Sequence, residues 1–191
     1  MKTTKILASI LILATLFFAG CKKDPLTPPN ETELITTLKL TLMDTAAPYT
    51  TYSAEFRDLD GDGGIAATLD SLIIPSGKVY TASLLLLDER DAAAIDTTSI
   101  EINEENTVHQ FFYQSTPIDV ITNFTYLTFD DNGKPLGTEF SCKTKPTAST
   151  GTLRITLRHE PNKDGANVVN NDLTNAGGET DIQVDFPVRL Y

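Results

Sequence analysis

Hydrophobic and polar residues alternate with a period of two along most of the chain from residue 33 onward. Such alternation places successive side chains on opposite faces of an extended strand, so that one face can be buried. The predicted strands are ELITTLKLTLMD, TYSAEFRD, VYTASLLLLDE, TVHQFFYQ, NFTYLTFDD, TEFSCKT, TLRITLRHE and TDIQVDFPVRL. Of these, VYTASLLLLDE is apolar on both faces, as expected of a central strand. The pattern therefore predicts about seven or eight strands.

The segments between the predicted strands are short and rich in turn-forming residues. In DDNGKP, for example, Asn132 and Gly133 supply the positive φ angles of a tight hairpin. The chain is therefore predicted to be an all-β, antiparallel Ig-like β-sandwich, with a closed barrel of the lipocalin type as the alternative. Because the chain contains no Trp, "Ig-like" describes the architecture and not the immunoglobulin signature. One short helix of one or two turns is predicted within 87–96.

The chain begins with a basic segment and an apolar run, 6–19, that is too short to span a bilayer comfortably. This is the form of a secretory signal peptide, predicted at 1–20, and the sequence FAGC at 18–21 resembles a bacterial lipobox. We therefore expect Cys21 to become the lipidated first residue of the mature protein. An ordinary signal peptide followed by an incidental cysteine is the alternative.

Lipidation would anchor the mature protein to a lipid bilayer, because two or more acyl chains hold a protein there stably. Residues 21–32 contain three prolines and predict an extended tether of about 30 Å. The tether leads to the predicted β-sandwich domain at 33–191. No Asp follows Cys21 directly, which favours the outer membrane, on its periplasmic or cell-surface face, by analogy with lipoprotein sorting in some bacteria.

The chain is acidic, with 15 basic and 26 acidic residues and a net charge of −11. This balance argues against binding to nucleic acid or to anionic lipid headgroups. It is compatible with cation binding, although an acidic surface also serves solubility alone. With Cys21 acylated, Cys142 has no partner for a disulfide, and its place in TEFSCKT predicts a buried, small apolar side chain.

The segment DLDGDGG, residues 58–64, is a candidate calcium loop. Asp58, Asp60 and Asp62 alternate in a glycine-rich turn, and Ca²⁺ prefers such hard oxygen ligands. Leu69 stands where an EF-hand has its bidentate Glu, and the flanking segments are predicted strands, so an EF-hand is not expected. The alternative is a solvated turn whose carboxylates accept hydrogen bonds from the backbone. Calcium is the one cofactor that this segment suggests.

The two histidines form a second candidate site. His109 lies on the same face of a predicted strand as Phe111 and Tyr113, and His159 continues the apolar face of another predicted strand at its end. With Glu160, Glu179 or Asp181, they provide the ligand types of a Zn²⁺ or Cu²⁺ site. This requires His109 and His159 to meet in space, and the alternative is that they are satisfied residues at the rim of the core. No nucleophile elbow, HExxH motif or P-loop is present, so the protein is not expected to be an enzyme.

Five segments also carry a family resemblance: 30–36 (NETELIT), 58–64 (DLDGDGG), 109–112 (HQFF), 157–161 (LRHEP) and 177–182 (GGETDI). The chain resembles a group of small lipoproteins from Bacteroidetes-type bacteria. The resemblance implies association with a TonB-dependent outer-membrane receptor and capture of a nutrient or metal ion. The predicted function is a membrane-anchored lipoprotein binding module that captures a ligand or metal ion at the cell envelope. A structural or partner-binding lipoprotein with no small ligand is the alternative.

Overall fold

The computed structural model of the chain describes residues 33–61 and 63–191. The predicted signal peptide, Cys21 and the predicted tether lie outside the described residues. Within these two ranges no helix combines the length and the apolar character needed to cross a membrane.

Ten strands make up most of the described chain. In chain order they are β1 (Thr37–Asp44), β2 (Thr51–Arg57), β3 (Thr68–Leu69), β4 (Leu72–Ile74), β5 (Val79–Leu87), β6 (His109–Thr116), β7 (Ile121–Tyr126), β8 (Glu139–Thr144), β9 (Ser149–His159) and β10 (Glu179–Leu190). Two of them, β3 and β4, have only two and three residues, which accounts for the excess over the predicted seven or eight.

The strands form two sheets that pack face to face, which confirms the predicted all-β sandwich; its Ig-like character stays a prediction. The larger sheet has the order β3-β2-β1-β5-β8-β7, and the smaller sheet has the order β4-β10-β9-β6. All pairs of neighbouring strands are antiparallel except β4 and β10, which run parallel. The sandwich is thus antiparallel with one short parallel pairing.

The core lies between the sheets and is built from the inward positions of the alternating pattern. In β10 these are Ile182, Val184, Phe186 and Val188, each at most 9% exposed, as the pattern predicts. Each fully buried side chain of this kind contributes about 1.5–3 kcal/mol relative to an exposed one. The Cys142 thiol is also buried in this core, as predicted.

The helical segment lies later in the chain than predicted. The α-helix α1 is Thr98–Glu104, and the predicted segment 87–96 instead forms turns closed by a bridge between Asp88 and Asp96. The prediction at 87–96 is wrong because aspartate side chains there compete with a helix for backbone N–H groups. Asp88 accepts from the amide of Arg90, and Asp91 accepts from the amide of Ala93.

The segment between β9 and β10, residues 160–178, covers the outer face of the smaller sheet. It contains two short 3-10 helices, Val168–Asn170 and Leu173–Asn175. A third, Asn106–Val108, leads into β6. Phe112 points outward from β6 and is buried under this covering segment. The covering segment starts after His159, the last residue of β9, and ends before Glu179, the first residue of β10. The candidate site lies at this end of the sheet.

Candidate metal centre

The two histidines lie side by side at one end of the smaller sheet. His109 begins β6 and His159 ends β9, and the antiparallel register pairs them directly. Their ring centroids are 4.5 Å apart with the ring planes at 80°, and both side chains are buried. Sequence alternation predicts the face on which each histidine lies, and the strand register brings the two together.

A backbone carbonyl fixes the orientation of the His109 ring. Nδ1 of His109 donates a hydrogen bond to the carbonyl oxygen of Glu105, at 3.1 Å, in the turn that follows α1. Because a carbonyl only accepts, the proton lies on Nδ1 and the lone pair on Nε2. Metal-binding histidines are commonly oriented by such a second partner. The Nε2 lone pair is thus available to a ligand inside the cluster.

An irregularity in β10 directs Asp181 into the same space. Thr180 pairs with Arg158 and Ile182 pairs with Leu157, so Asp181 is an extra residue in β10. A bulge of this kind re-aims the side chain that it carries. Strict alternation with the inward-facing Ile182 would turn Asp181 outward, and here the side chain is fully buried.

The Asp181 carboxylate approaches both histidines. Its Oδ2 lies 3.7 Å from Nε2 of His109 and 3.8 Å from Nδ1 of His159. One ligand atom from each of the three residues lies within 4.8 Å of the other two, which is close enough for one metal ion. Of the three carboxylates that the sequence suggests, Asp181 joins the histidines, whereas Glu160 and Glu179 are exposed.

Two further carboxylates, Glu33 and Glu105, lie close to His109. Oε1 of Glu33, in the segment before β1, lies 3.7 Å from Nε2 of His109. Glu33, Glu105 and His109 form a second group whose ligand atoms lie within 4.8 Å of one another. The sequence pattern does not identify Glu33, because it precedes the strand and no local motif surrounds it.

The cluster contains buried acceptors without donors. Among the described residues, Nε2 of His109 and both carboxylate oxygens of Asp181 are buried and have no hydrogen-bond partner. The Glu33 amide favours the ionised Asp181 carboxylate from nearby, although it does not reach hydrogen-bond geometry. Buried polar atoms are nearly always paired, and facing acceptors repel each other. A cation between these atoms, either a proton or a metal ion, would remove the conflict.

Burial sets the protonation of the cluster. Burial lowers the pKa of His109 to about 4, so its imidazole is neutral at neutral pH. Burial raises the pKa of Asp181 to about 6, and burial together with Glu101 raises the pKa of Glu33 to about 7. A neutral imidazole is the form that binds metal, and a divalent ion would offset the cost of the buried carboxylates.

The ends of the covering segment are held close to the cluster. Gly178 has φ of +68°, and a Cβ there would lie 2.1 Å from the carbonyl oxygen of His159, so only glycine fits. The Nζ of Lys163 donates to Oδ2 of Asp130 at 2.8 Å in a buried ion pair. These contacts support the end of β9, where His159 lies.

The predicted calcium loop is an exposed turn between β2 and β3. Oδ1 of Asp58 accepts from the amide of Gly61 at 3.0 Å, and Oδ2 of Asp60 accepts from the amide of Ile65 at 2.8 Å. Asp62 lies outside the described residues. Within the described ranges, the groups of ligand atoms close enough for one ion all contain His109, so calcium binding at this turn stays a prediction.

A cavity of about 730 Å³ lies at the opposite end of β6 from His109. Its wall includes the ring of Phe124 and the ion pair of Arg154 with Asp185, in which two N–H···O contacts measure 2.7 Å. None of the candidate metal ligands lines this cavity. At the histidines the Nε2 lone pair of His109 and the carboxylate of Asp181 converge, whereas in the cavity Arg154 and Asp185 pair with each other.

No family model, no curated protein and no solved structure matches this chain. The function is therefore argued from the geometry of the described residues.

Proposed function

We propose that this protein is a lipid-anchored binding module of the cell envelope that holds a divalent transition-metal ion between His109, His159 and Asp181. The observation that carries the proposal is the convergence of buried acceptors. Nε2 of His109 and Oδ2 of Asp181 face each other at 3.7 Å, with no donor between them among the described residues. A metal ion between these atoms converts their repulsion into coordination.

The donor types favour a transition metal over calcium or magnesium. Imidazole nitrogen suits zinc, copper, iron and nickel, whereas calcium and magnesium take oxygen ligands. With bond lengths of about 2.0–2.1 Å, the ligand atoms of a tetrahedral zinc site are about 3.3 Å apart. The separations of 3.7 and 3.8 Å between Asp181 and the two histidines are slightly larger, and the two histidine nitrogens lie within 4.8 Å of each other, so a modest inward movement of the side chains completes the site.

Calorimetric titration of the chelator-stripped protein with Zn²⁺, Co²⁺, Mn²⁺ and Ca²⁺ tests this proposal. We expect one equivalent of Zn²⁺ or Co²⁺ to bind, and His159→Gln and Asp181→Asn to lose that binding. At a free metal concentration 100 times Kd, binding stabilises the fold by about 2.7 kcal/mol, which raises Tm by roughly 5–10 °C. Glu179→Gln, an exposed carboxylate two residues from Asp181, is the matched control and should bind like wild type. No heat and no change in Tm with any of these ions would overturn the proposal.

The membrane part of the proposal depends on Cys21. It is supported by the apolar run and by the small residues before the cysteine. Mass spectrometry of the protein purified from membranes should find an acylated Cys21 at the N-terminus, and Cys21→Ser should release the protein from the membrane fraction. An intact leader or an unmodified sulfur would refute the anchor.

The same membranes test the alternative, in which the protein holds a partner and no small ligand. Pull-down of membrane proteins with the wild-type protein, before and after chelation, distinguishes metal-dependent binding from partner binding without a metal. A TonB-dependent receptor that is captured equally well after chelation would favour partner binding without a metal.

A further inference from the structure

We propose that Glu33 is the fourth ligand of the ion, so that the bound ion clamps the segment 33–36, which precedes β1 of the larger sheet, to the smaller sheet. This inference rests on the proposed function. Oε1 of Glu33 lies as close to Nε2 of His109 as the Asp181 carboxylate does, at 3.7 Å. The Glu33 side chain is only 11% exposed, so it is held in the cluster and not in solvent.

The two groups of ligand atoms share one residue, His109. Its Nδ1 is occupied by the hydrogen bond to Glu105. Its single remaining lone pair, on Nε2, can bind only one metal ion. An ion bound there takes nitrogen from His109 and His159 and oxygen from Asp181. Glu33 completes the set by moving toward the ion, because no group among the described residues joins its oxygen to His159 and Asp181 within 4.8 Å. Four protein ligands in tetrahedral arrangement are typical of a closed site.

Charge balance supports the same set of ligands. Imidazole binds a metal ion in its neutral form, so the charge of these ligands comes from the two carboxylates, Asp181 and Glu33, and a divalent ion neutralises it. Glu105, whose side chain belongs to the second group, is exposed and can remain hydrated.

The position of Glu33 gives the ion a mechanical role. The segment 33–36 leads directly into β1, and the predicted tether ends just before it. The Thr36 amide donates to the carbonyl of Leu87, and the Thr98 hydroxyl donates to the carbonyl of Leu34. An ion bound by Glu33 would add a link from this segment to β6, β9 and β10. Release of the ion would then require this segment to detach.

The test uses Co²⁺ and Zn²⁺ as probes on the chelator-stripped protein and on Glu33→Gln. We expect wild-type Co²⁺ to give the intense visible absorption of four-coordination, and Glu33→Gln to change that spectrum. Chelator-driven release should be faster in Glu33→Gln, and affinity should fall by at least the roughly 10–100-fold that loss of an outer-shell partner costs. Metal should also slow hydrogen exchange of the Thr36 amide in wild type but not in Glu33→Gln.

Two further variants make the outcome decisive. Glu104→Gln, the same substitution at an exposed position of α1, should behave like wild type. Glu33→Asp, which keeps the charge with a shorter reach, should restore part of the affinity that Glu33→Gln loses. If Glu33→Gln binds and releases metal like wild type while Asp181→Asn does not bind, this inference is wrong and the proposed function stands. If wild type binds no metal, both are wrong.

Discussion

The buried Asp181 carboxylate leads to a prediction in which one substitution has opposite effects with and without metal. In the metal-free protein, Asp181→Asn removes a buried charge and supplies an amide donor next to Nε2 of His109, which has no donor among the described residues. We therefore expect metal-free Asp181→Asn to be more stable than metal-free wild type at neutral pH. With saturating Zn²⁺ the order should reverse, because the variant has lost a ligand.

The magnitude follows from the pKa of Asp181. Burial raises it from 3.8 to about 6, and one pKa unit corresponds to 1.36 kcal/mol, so ionisation costs the fold about 3 kcal/mol. The folded carboxyl binds its proton more tightly than the unfolded one, so metal-free wild type loses stability as pH rises from about 4 to about 6. The advantage of Asp181→Asn should be absent near pH 4 and reach about 3 kcal/mol at pH 7. Glu33, whose pKa is also raised, is present in both proteins. It extends the loss of folding stability toward pH 7 in each of them.

Urea unfolding of chelator-treated protein at pH 4 and pH 7 measures this difference. Asp185→Asn is the control, because it changes the same residue type on β10 where the carboxylate is about half exposed and paired with Arg154. An exposed pair of this kind contributes about 0–1 kcal/mol, and its loss should leave the metal response unchanged. If metal-free Asp181→Asn is less stable than wild type by the same amount at both pH values, the carboxylate is satisfied without an ion and the reasoning fails.

Three further predictions test the support of the site and the core. Gly178→Ala puts a Cβ against the carbonyl of His159 at a position with left-handed backbone. Urea unfolding should therefore show that the free energy of unfolding falls by at least about 1–2 kcal/mol, with weaker Zn²⁺ binding, and unchanged stability would contradict this contact. Asp130→Asn leaves the Lys163 ammonium buried without its carboxylate, so stability should fall by about 3–5 kcal/mol at pH 7; a loss under 1 kcal/mol would mean that the pair is solvated. Burial raises the pKa of the Cys142 thiol to about 12, so thiol reagents should label it only as fast as the protein unfolds, and rapid labelling of the native protein would refute its burial.

Part of the candidate site can be predicted from local sequence. His159 continues the inward face of β9 and His109 lies on an inward face of β6, and alternation identifies both faces. The identity of the carboxylate could not be predicted, because Asp181 faces inward only through a bulge. A single extra residue reverses the face of a side chain, and the sequence of β10 carries no signal for it.

By itself the sequence determined the properties that depend on neighbours in the chain: the strands, their buried faces, the tight turns and an all-β sandwich. These follow because backbone sterics place alternate side chains on opposite faces of a strand wherever it lies. Only the tertiary structure decided that His109 pairs with His159, that Asp181 turns inward and that Glu33, in the segment before β1, approaches His109. These arrangements depend on strand register and on packing between segments that are distant in sequence. Register and packing result from the sum of many side-chain contacts and not from any local pattern.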